Sequence, residues 1–501
     1  MPKNISRRGF MGAAMAPAVF QVVPRYVVAG GGVPPSEKVT LAYIGLGTQG
    51  IRELGALLAA PEVQMVAVCD PNTASEDYVD WSRHGHVHAI RELLGDPQWR
   101  SDIKGIPGGR DVGRAIIETY YAKNRAQDSF KGLASYADFR ELLEKEKDLD
   151  AVKVMTPDHL HATIAIAAMK QGKHVLMHKP IANRMRESRL VVETARETKA
   201  ATHLLAWGGG GSMDTVMAWI NDGAIGTLRE VHNWSNRPIW PQYATVPADT
   251  PPVPPGFDWD LWLGPALERP YHPHYTHAVF RGWYDFGGGP IADMGHYSLW
   301  PVFQALDLDA PLSAEAHASH ACRVEDQVAG VIHNDWSFPV ACTIRFKFAA
   351  KGDRGPIELF WYDGGMKPRT PEELEEDNEQ LEAEGMMFVG DQGKILAGFT
   401  IQEPRIIPKR KMAQYQTRAA GQPEDSPRPN GVADWIKSCR DGGAVPGSFL
   451  DAEALSETIN LGAVALRARG KVVYDSPSMS ITNMSKANAY LTREYRSGWE
   501  L

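Results

Sequence analysis

The chain has few cysteines, no excess of positive charge and no long apolar run beyond its first residues. Its four cysteines have no CxxC spacing, which argues against a zinc site or a disulfide framework; they are Cys69, Cys322, Cys342 and Cys439. We expect buried thiols, and a Cys322–Cys342 bridge would require both on neighbouring strands. A net charge of −8 gives no reason to expect nucleic acid or an anionic membrane as partner. No later segment is apolar enough to span a bilayer, so we expect no membrane insertion.

The N-terminal segment has the composition of an export signal. Ser6-Arg7-Arg8-Gly9-Phe10-Met11 is a twin-arginine pattern, and the apolar stretch that follows, Met11–Val23, is too short to cross a bilayer. The alternative is a basic tail with no targeting role. We expect export by the twin-arginine route to the periplasm or another extracytoplasmic space, with residues 1–35 as signal and linker.

At 501 residues the chain is too long for one compact core, and its pattern changes along its length. Residues 36–182 alternate strand-like and helical segments, which predicts an α/β domain with a parallel, doubly wound sheet; residues 82–132 interrupt it as a predicted surface insertion. Residues 183–475 carry aromatic, alternating segments that predict an α+β domain with a large, mostly antiparallel sheet. Residues 476–501 form a polar, aromatic tail, a candidate contact with a neighbouring subunit.

A glycine-rich turn follows the first predicted strand. Val39–Ile44 leads into G-x-G-x-x-G, and a second strand-like run ends in Asp70, 20 residues after the last glycine. Such glycines allow a tight turn and a close approach to a pyrophosphate, while the helix that follows supplies N–H donors. A carboxylate at the second strand end suits a ribose 2′-OH and repels a 2′-phosphate, so NAD is favoured over NADP. The alternative is a turn used only for packing. The turn itself consists of Gly45, Leu46, Gly47, Thr48, Gln49 and Gly50.

Two further predicted strands end in polar residues that should face the same crevice as the glycine turn. One ends in Thr156-Pro157-Asp158-His159-Leu160-His161 and the other in His178-Lys179-Pro180. Lys179 is the best catalytic candidate, because a lysine in a partly dry pocket can have its pKa lowered enough to exchange protons with a substrate hydroxyl. The alternative is a surface lysine at a strand end.

A triple-glycine turn introduces the next cluster. Gly287–Gly289 leads into a predicted helix on which Asp293, His296 and Tyr297 share one face. An acid, an imidazole and a phenol on one face suit hydroxyl orientation and proton transfer. The alternative is ordinary helix polarity, with Asp293 favouring the helix dipole.

The segment Tyr271–His277 contains H-x-H-x-x-H, but no carboxylate or cysteine accompanies it and Pro273 breaks the helix that would align the ligands. We therefore predict no metal site, and expect a sugar-facing or plain surface loop. Tryptophans nearby are core residues or flat faces for a sugar ring. Among them we take Trp283 as a cofactor-binding candidate.

Together these residues resemble the Gfo/Idh/MocA oxidoreductases, the family of glucose–fructose oxidoreductase and inositol dehydrogenase, and the exported, twin-arginine members most closely. The resemblance implies an NAD-binding Rossmann domain, a second domain with an open-faced sheet, an active site between them, and homo-oligomers (dimers or tetramers) formed through that sheet. Its most specific pieces are Ile44–Gly50, Thr156–Ala162, Gly172–Ala182, Trp259–Pro273 and Arg281–His296.

The resemblance carries residue roles onto this chain. Lys179 matches the lysine of the family's E-K-P motif, a proton-transfer or orienting residue, and Asp293 matches the acid of its D-x-G-x-H helix. The family's cofactor-binding positions fall on Gly45, Gly47, Gly50, Asp70, Thr156, Pro157 and His159.

The chain departs from the family pattern at two positions. His178 replaces the glutamate before the lysine, and the D-x-G-x-H histidine should fall at Tyr297, whereas the chain has His296 one position earlier. The general base is therefore His296, Tyr297 or Lys179 alone.

Three hypotheses about function follow. The first is an NAD-dependent oxidoreductase acting on a hydroxyl of a carbohydrate or cyclitol. Since no free nicotinamide pool exists outside the cytoplasm, its cofactor should be tightly bound and recycled. The second is an NAD-dependent enzyme that cleaves glycosides by transient oxidation and elimination. The third is a non-catalytic sugar-binding protein that keeps the Rossmann fold.

Overall fold

The computed structural model describes residues 33–34, 37–126, 130, 132–208, 212–238, 240–416 and 430–501. The predicted twin-arginine signal lies outside the described residues. The predicted fold class is confirmed: a parallel-sheet α/β domain is followed by a domain built on a large, mostly antiparallel sheet.

The first domain is a six-stranded sheet in the order β3-β2-β1-β4-β5-β6, with every neighbouring pair parallel. This is the doubly wound dinucleotide-binding order, which places ligands at the carboxyl ends of the strands. The inner strands are nearly continuous apolar runs, as expected of a sheet covered on both faces. Its strands are β1 (Val39–Ile44), β2 (Val63–Cys69), β3 (Ala134–Tyr136), β4 (Ala151–Val154), β5 (His174–Met177) and β6 (Thr202–Leu204).

The helices of this domain correct one prediction. The segment 82–132 is not a surface insertion throughout, because Ile116 and Ile117 of α4 are fully buried in the core beside the sheet. The parallel sheet also continues past residue 182 to β6. The helices are α1 (Thr48–Arg52), α2 (Leu54–Ala59), α3 (Gly85–Leu94), α4 (Arg110–Asn124), α5 (Phe139–Lys145), α6 (His161–Lys170) and α7 (Met185–Thr198).

The second domain has a nine-stranded sheet in the order β15-β14-β13-β7-β12-β11-β8-β16-β17. Only β7 and β12 run parallel among these strands of the described chain. Alternation in β11 places Ile344 and Phe346 in the core and turns Arg345 and Lys347 outward. The strands are β7 (Leu228–Trp234), β8 (Ser313–Ala318), β9 (Cys322–Glu325), β10 (Val328–Val331), β11 (Cys342–Phe348), β12 (Ile357–Tyr362), β13 (Gly385–Gly390), β14 (Lys394–Ala397), β15 (Arg405–Ile407), β16 (Lys471–Asp475) and β17 (Ser480–Ile481); β9 and β10 form a separate hairpin.

The long helices α10 and α14 pack against each other. One apolar core runs through both domains, from Val154 on β4 through Ile291 on α10 to Phe346 on β11. This continuity fixes α10 in front of the strand ends. The remaining helices are α8 (Met213–Asn221), α9 (Trp259–Leu263), α10 (Gly289–Ala305), α11 (Glu372–Glu376), α12 (Lys409–Gln416), α13 (Gly431–Asp441) and α14 (Glu453–Ala468), with 3₁₀ turns at Asp158–Leu160, His277–Gly282 and Ser485–Tyr490.

The C-terminal tail folds onto its own chain. The guanidinium Nε of Arg493 lies 2.5 Å from the Glu187 carboxylate on α7, in a pair that is almost fully buried. The Tyr495 hydroxyl donates to the same carboxylate at 3.0 Å. Elsewhere, Cys322 is exposed and Cys342 is buried, and both thiols are free. None of the described helices is both long enough and apolar enough to cross a membrane.

Candidate active site

Three strand ends and one helix meet at a single cavity. The predicted crevice is present: the glycine turn after β1, Thr156 and Pro157 after β4, and His178 and Lys179 after β5 all line it. Helix α10 closes the opposite side with Asp293 and Tyr297. The first domain thus supplies a nucleotide-binding edge, and the second supplies polar groups facing it.

The glycine turn has no room for side chains. Gly45 has φ +96°, and a Cβ there would lie 2.6 Å from the Met155 carbonyl carbon. A Cβ on Gly50 would collide with the Gly45 carbonyl oxygen. The Thr156 hydroxyl beside the turn is buried without a hydrogen-bond partner. A turn without side chains lets the backbone approach a pyrophosphate closely, and the unpaired Thr156 hydroxyl can hydrogen-bond to a ligand. Both features fit a bound dinucleotide.

Asp70 stands at the end of β2, as predicted for a ribose ligand. Its carboxylate accepts hydrogen bonds from the backbone N–H of Leu46 at 2.6 Å and of Asn72 at 2.8 Å. Burial raises its pKa above the ordinary value, against the effect of those two hydrogen bonds. The Asn72 amide also donates to the Tyr78 hydroxyl at 3.1 Å, which places that ring over Gly47. Asp70 and Tyr78 therefore frame the far end of the cavity.

Lys179 and Asp293 form a buried ion pair across the cavity. The Lys179 ammonium lies 2.5 Å from the Asp293 carboxylate and is 2% exposed. Burial lowers the pKa of Lys179 to about 8, although the Asp293 charge acts in the opposite direction. Burial alone would raise the pKa of Asp293, but the Lys179 and Arg281 charges outweigh it and hold that pKa well below its usual range. A lysine that can lose its proton near neutral pH is suited to general acid–base work.

His178 and Tyr297 contact each other beside this ion pair. The His178 Nε2 lies 3.1 Å from the Tyr297 hydroxyl, and the Lys179 ammonium lies 5.0 Å from the centre of the Tyr297 ring. Burial, then the Lys179 charge, lowers the pKa of His178 well below its ordinary value, so its imidazole is neutral. Burial, then the Asp293 charge, raises the pKa of Tyr297, so its phenol is protonated. The pair can pass a proton but carries no net charge.

Two arginines complete the substrate side of the cavity. Arg281 lies 3.3 Å from the Asp158 carboxylate and 3.8 Å from that of Asp293, so its charge is balanced. Arg237 has a buried Nε without a hydrogen-bond partner, and the buried indole N–H of Trp240 also has none. Both line the cavity.

Three predicted site residues lie elsewhere. His296 is fully buried behind the cavity wall; its Nδ1 is 3.1 Å from the Ala292 carbonyl, and burial lowers its pKa to about 3. His159 has both ring nitrogens at backbone carbonyls, 3.3 Å from Phe286 and 2.9 Å from Trp262. Trp283 is 1% exposed and its indole donates to the His274 carbonyl at 2.7 Å. The reason is the same in each case: the ring nitrogens predicted to bind a ligand instead contact backbone carbonyls, and the rings are packed in the core.

Sequence reasoning missed several residues that line the cavity. Arg281 lies two residues before the W-Y-D-F-G-G-G motif, and this position could have indicated that it belongs to the site. The others lie in irregular segments that carry no motif, and only the tertiary fold brings them to the site. They are Tyr78, Trp81 and Arg237; His277 of the histidine-rich loop and Trp240, one of the tryptophans considered as a flat face for a sugar ring, also line the cavity.

The histidine-rich loop is not arranged around a metal. The His272 ring packs against that of His274 with centroids 4.3 Å apart, and His277 pairs with Asp77 at 3.4 Å. Throughout the part of the chain that the structure describes, no cluster of three or more His, Cys, Asp or Glu side chains is placed to hold a metal ion.

The fold and the strand-end cavity define a two-domain, dinucleotide-binding oxidoreductase architecture. Residues 110–204 match the model of the oxidoreductase family's NAD-binding Rossmann fold, and residues 224–349 match the model of its C-terminal alpha/beta domain. Both models are those of the Gfo/Idh/MocA oxidoreductase family, so the predicted resemblance to this family and the predicted NAD-binding Rossmann domain are confirmed.

The chain is similar to curated sugar-acting proteins over short stretches. It is 32% identical to a levoglucosan dehydrogenase of Pseudarthrobacter phenanthrenivorans over 114 residues, 21% of this chain and 29% of that protein. It is 29% identical to a glycosyl hydrolase family 109 protein of Streptomyces filamentosus over 188 residues, 37% of this chain and 30% of that protein. The chain thus spans about three tenths of the length of these relatives.

A solved structure shares the fold over most of the chain. It is the WlbA dehydrogenase from Bordetella pertussis in complex with NADH and UDP-GlcNAcA. Its TM-score is 0.51 at 14% sequence identity, covering 87% of this chain and 99% of that chain. This likeness supports the arrangement of the two domains.

Proposed function

We propose that this protein is an NAD-dependent enzyme that acts on a hydroxyl group of a carbohydrate or cyclitol. The observation that carries the proposal is the buried Lys179–Asp293 pair, which faces the glycine turn across one cavity. The dehydrogenase and glycosidase among the curated relatives support a carbohydrate substrate.

The chain's own residues supply binding and proton transfer. The turn at Gly45–Gly50 and Asp70 would hold the dinucleotide, and Thr156 and Pro157 lie where its nicotinamide end would come. When bound, NAD supplies an acceptor for a hydride from the substrate carbon. Lys179, with its lowered pKa, takes the hydroxyl proton at Nζ, while Asp293 holds the resulting ammonium in place.

A second candidate function is glycoside cleavage with no net redox change. The observation in its favour is the His178–Tyr297 pair, a second proton-transfer group next to Lys179. Oxidation of a ring hydroxyl acidifies the neighbouring C–H. Loss of that proton expels the glycosidic oxygen, water adds to the double bond, and reduction of the ketone restores the hydroxyl. The His178–Tyr297 pair would pass that proton from the carbon to the departing glycosidic oxygen, so that the alcohol leaves neutral and neither side chain keeps a charge.

We also propose that the folded enzyme is exported and that it forms a homo-oligomer. A twin-arginine pattern at Arg7-Arg8 supports export of the folded enzyme with its cofactor bound, and recycling of that cofactor in place. The family resemblance supports a homo-oligomer, a dimer or tetramer formed through the large sheet, on which the half-buried rings of Phe360 and Tyr362 stack side by side. Cell fractionation tests the first, and light scattering on the purified chain tests the second.

The full chain, purified with its native cofactor, tests the function. Mixing it with a panel of polyols and glycosides should change the absorbance of the bound nicotinamide and release product. An absorbance change accompanied by about one equivalent of oxidised sugar per protein favours a simple dehydrogenase, whereas many equivalents of cleaved glycoside without net absorbance change favour redox-neutral cleavage. A protein that emerges without NAD and binds none would instead be a sugar-binding protein.

A further inference from the structure

We propose that the substrate is a sugar acid and that Arg237, together with the Trp240 indole, binds its carboxylate. This inference rests on the proposed function and names the substrate class of the same cavity.

The charges around the cavity lead to this assignment. Its lining includes two acids, Asp70 at the far end and Asp293 on α10. Three cations line it as well, and two of them are balanced, since Lys179 pairs with Asp293 and Arg281 lies near both Asp158 and Asp293. The third is Arg237, for which the described residues offer no ion pair and whose Nε is buried without a hydrogen-bond partner.

Arg237 is held firmly at the substrate side. Its backbone N–H donates to the Ser235 hydroxyl at 3.2 Å, and that hydroxyl donates to the Glu384 carboxylate at 2.7 Å. Its carbonyl accepts the Gly364 N–H. The side chain is close enough to Asp293 and Tyr297 for its charge to act on both. It therefore lies beside the catalytic groups rather than beside Asp70 at the ribose end.

The Trp240 indole gives the second donor. Its buried N–H has no partner, it lines the same cavity, and its ring lies 6.2 Å from that of Trp81. A buried donor left unpaired is costly, which indicates that a ligand supplies the acceptor. The planar guanidinium of Arg237 and the neutral N–H of Trp240 can donate to the two oxygens of a carboxylate. The one positive charge of Arg237 matches the single negative charge of that group. A phosphate monoester, with nearly two negative charges, would leave charge unbalanced.

The experiment compares two probes that differ only at C6. Methyl glucuronide and methyl glucoside are offered to the NAD-loaded full chain and to Arg237→Gln, and both binding and turnover are measured. For the glucuronide we expect Arg237→Gln to lose roughly 10- to 100-fold in affinity and in kcat/KM, mainly through KM. The glucoside should bind weakly to both forms, with little difference between them.

Further variants separate a specific contact from a loss of structure. Arg237→Lys should recover part of the lost affinity, because it keeps the charge without the fork, and Trp240→Phe should lose less than Arg237→Gln. Arg229→Gln is the matched control, since Arg229 is half-exposed on β7, pairs with Asp391 and lies outside the cavity. NAD content should be equal in all forms.

Calorimetry measures glucuronide binding independently of turnover, so the sugar-acid site and the enzymatic function can be tested separately. If the glucuronide binds the wild type in an Arg237-dependent way but neither it nor any sugar of the panel is turned over, the sugar-acid site is supported and the enzymatic function is contradicted. Turnover of neutral sugars with no preference for the glucuronide overturns the sugar-acid site alone. Loss of NAD in Arg237→Gln assigns the arginine to the cofactor, and tighter binding of glucose 6-sulfate than of glucuronide overturns the carboxylate.

Discussion

The Nε2 of His178 lies 3.1 Å from the hydroxyl oxygen of Tyr297. These are the two positions at which the chain departs from its family's pattern, one at the end of β5 and the other on α10. They lie 119 positions apart in the chain and meet in the cavity. A glutamate at position 178 and a histidine at position 297 would place a charge here, whereas this pair is neutral. The two departures therefore form one change in the chemistry of the site.

Replacing Lys179 should stop the reaction without releasing the cofactor. In Lys179→Met the group that accepts the hydroxyl proton is lost, and we expect turnover to fall about 10²- to 10⁴-fold. The cofactor-binding turn is untouched, so NAD content should match the wild type. Lys170→Met, at an exposed lysine on α6, is the control. Unchanged turnover in Lys179→Met would remove this lysine from the mechanism.

The oxidation step should depend on pH through Lys179. The neutral amine is the active form, and it becomes the major form only above the lowered pKa of about 8. Rapid-mixing measurements of bound-nicotinamide absorbance should therefore show a rate that rises about tenfold per pH unit below pH 8 and levels off above it. In Asp293→Asn the charge that raises the Lys179 pKa is absent, so the midpoint should move to lower pH. A midpoint that stays in place would contradict this link.

The His178–Tyr297 pair should act as a unit. We expect Tyr297→Phe and His178→Gln each to slow turnover, and the double variant to lose little more than one of them. The coupling energy should be about 0.5–3 kcal/mol. If the enzyme cleaves glycosides, Tyr297→Phe should still reduce the bound cofactor but release no product. Additive effects in the double-mutant cycle would show that the two side chains work separately.

Asp70 should set the choice of nucleotide. Asp70→Asn keeps an acceptor for a backbone N–H but removes the charge that repels a 2′-phosphate. We expect NAD affinity to fall about tenfold and NADP affinity to rise, because a hydrogen bond to a charged group is lost. Titrations with both nucleotides measure the ratio, and Asp102→Asn, at an exposed position, serves as reference. An unchanged NAD to NADP ratio would place the ribose elsewhere.

The C-terminal tail should contribute to stability. Arg493→Met leaves the Glu187 carboxylate buried without its cation, which costs about 3 kcal/mol. The thermal unfolding midpoint should fall by several degrees, whereas Arg196→Met, which breaks an exposed pair with Glu453, should leave it nearly unchanged. Equal midpoints for Arg493→Met and wild type would show that the tail is only loosely attached.

Much of the site could be predicted because each part is a local pattern. G-x-G-x-x-G at Gly45, the acid at Asp70 and Lys179 before a proline all sit at strand ends, and parallel strands bring those ends together. His296 was misplaced because helical spacing shows which residues share a face, but not which of them the neighbouring core covers. Arg237 was missed as a cavity residue because it lies in an irregular connection, whose path depends on packing.

The sequence by itself determined the cofactor-binding half of this protein, because glycine conformation, strand-end position and carboxylate chemistry are properties of short segments. The tertiary structure alone decided the other half. It placed Tyr297 rather than His296 in the cavity, paired it with His178, left Arg237 without a counter-ion and folded the tail onto its own chain. Each of these depends on contacts between residues far apart in the chain, and burial and charge balance there are settled only when the whole core is assembled.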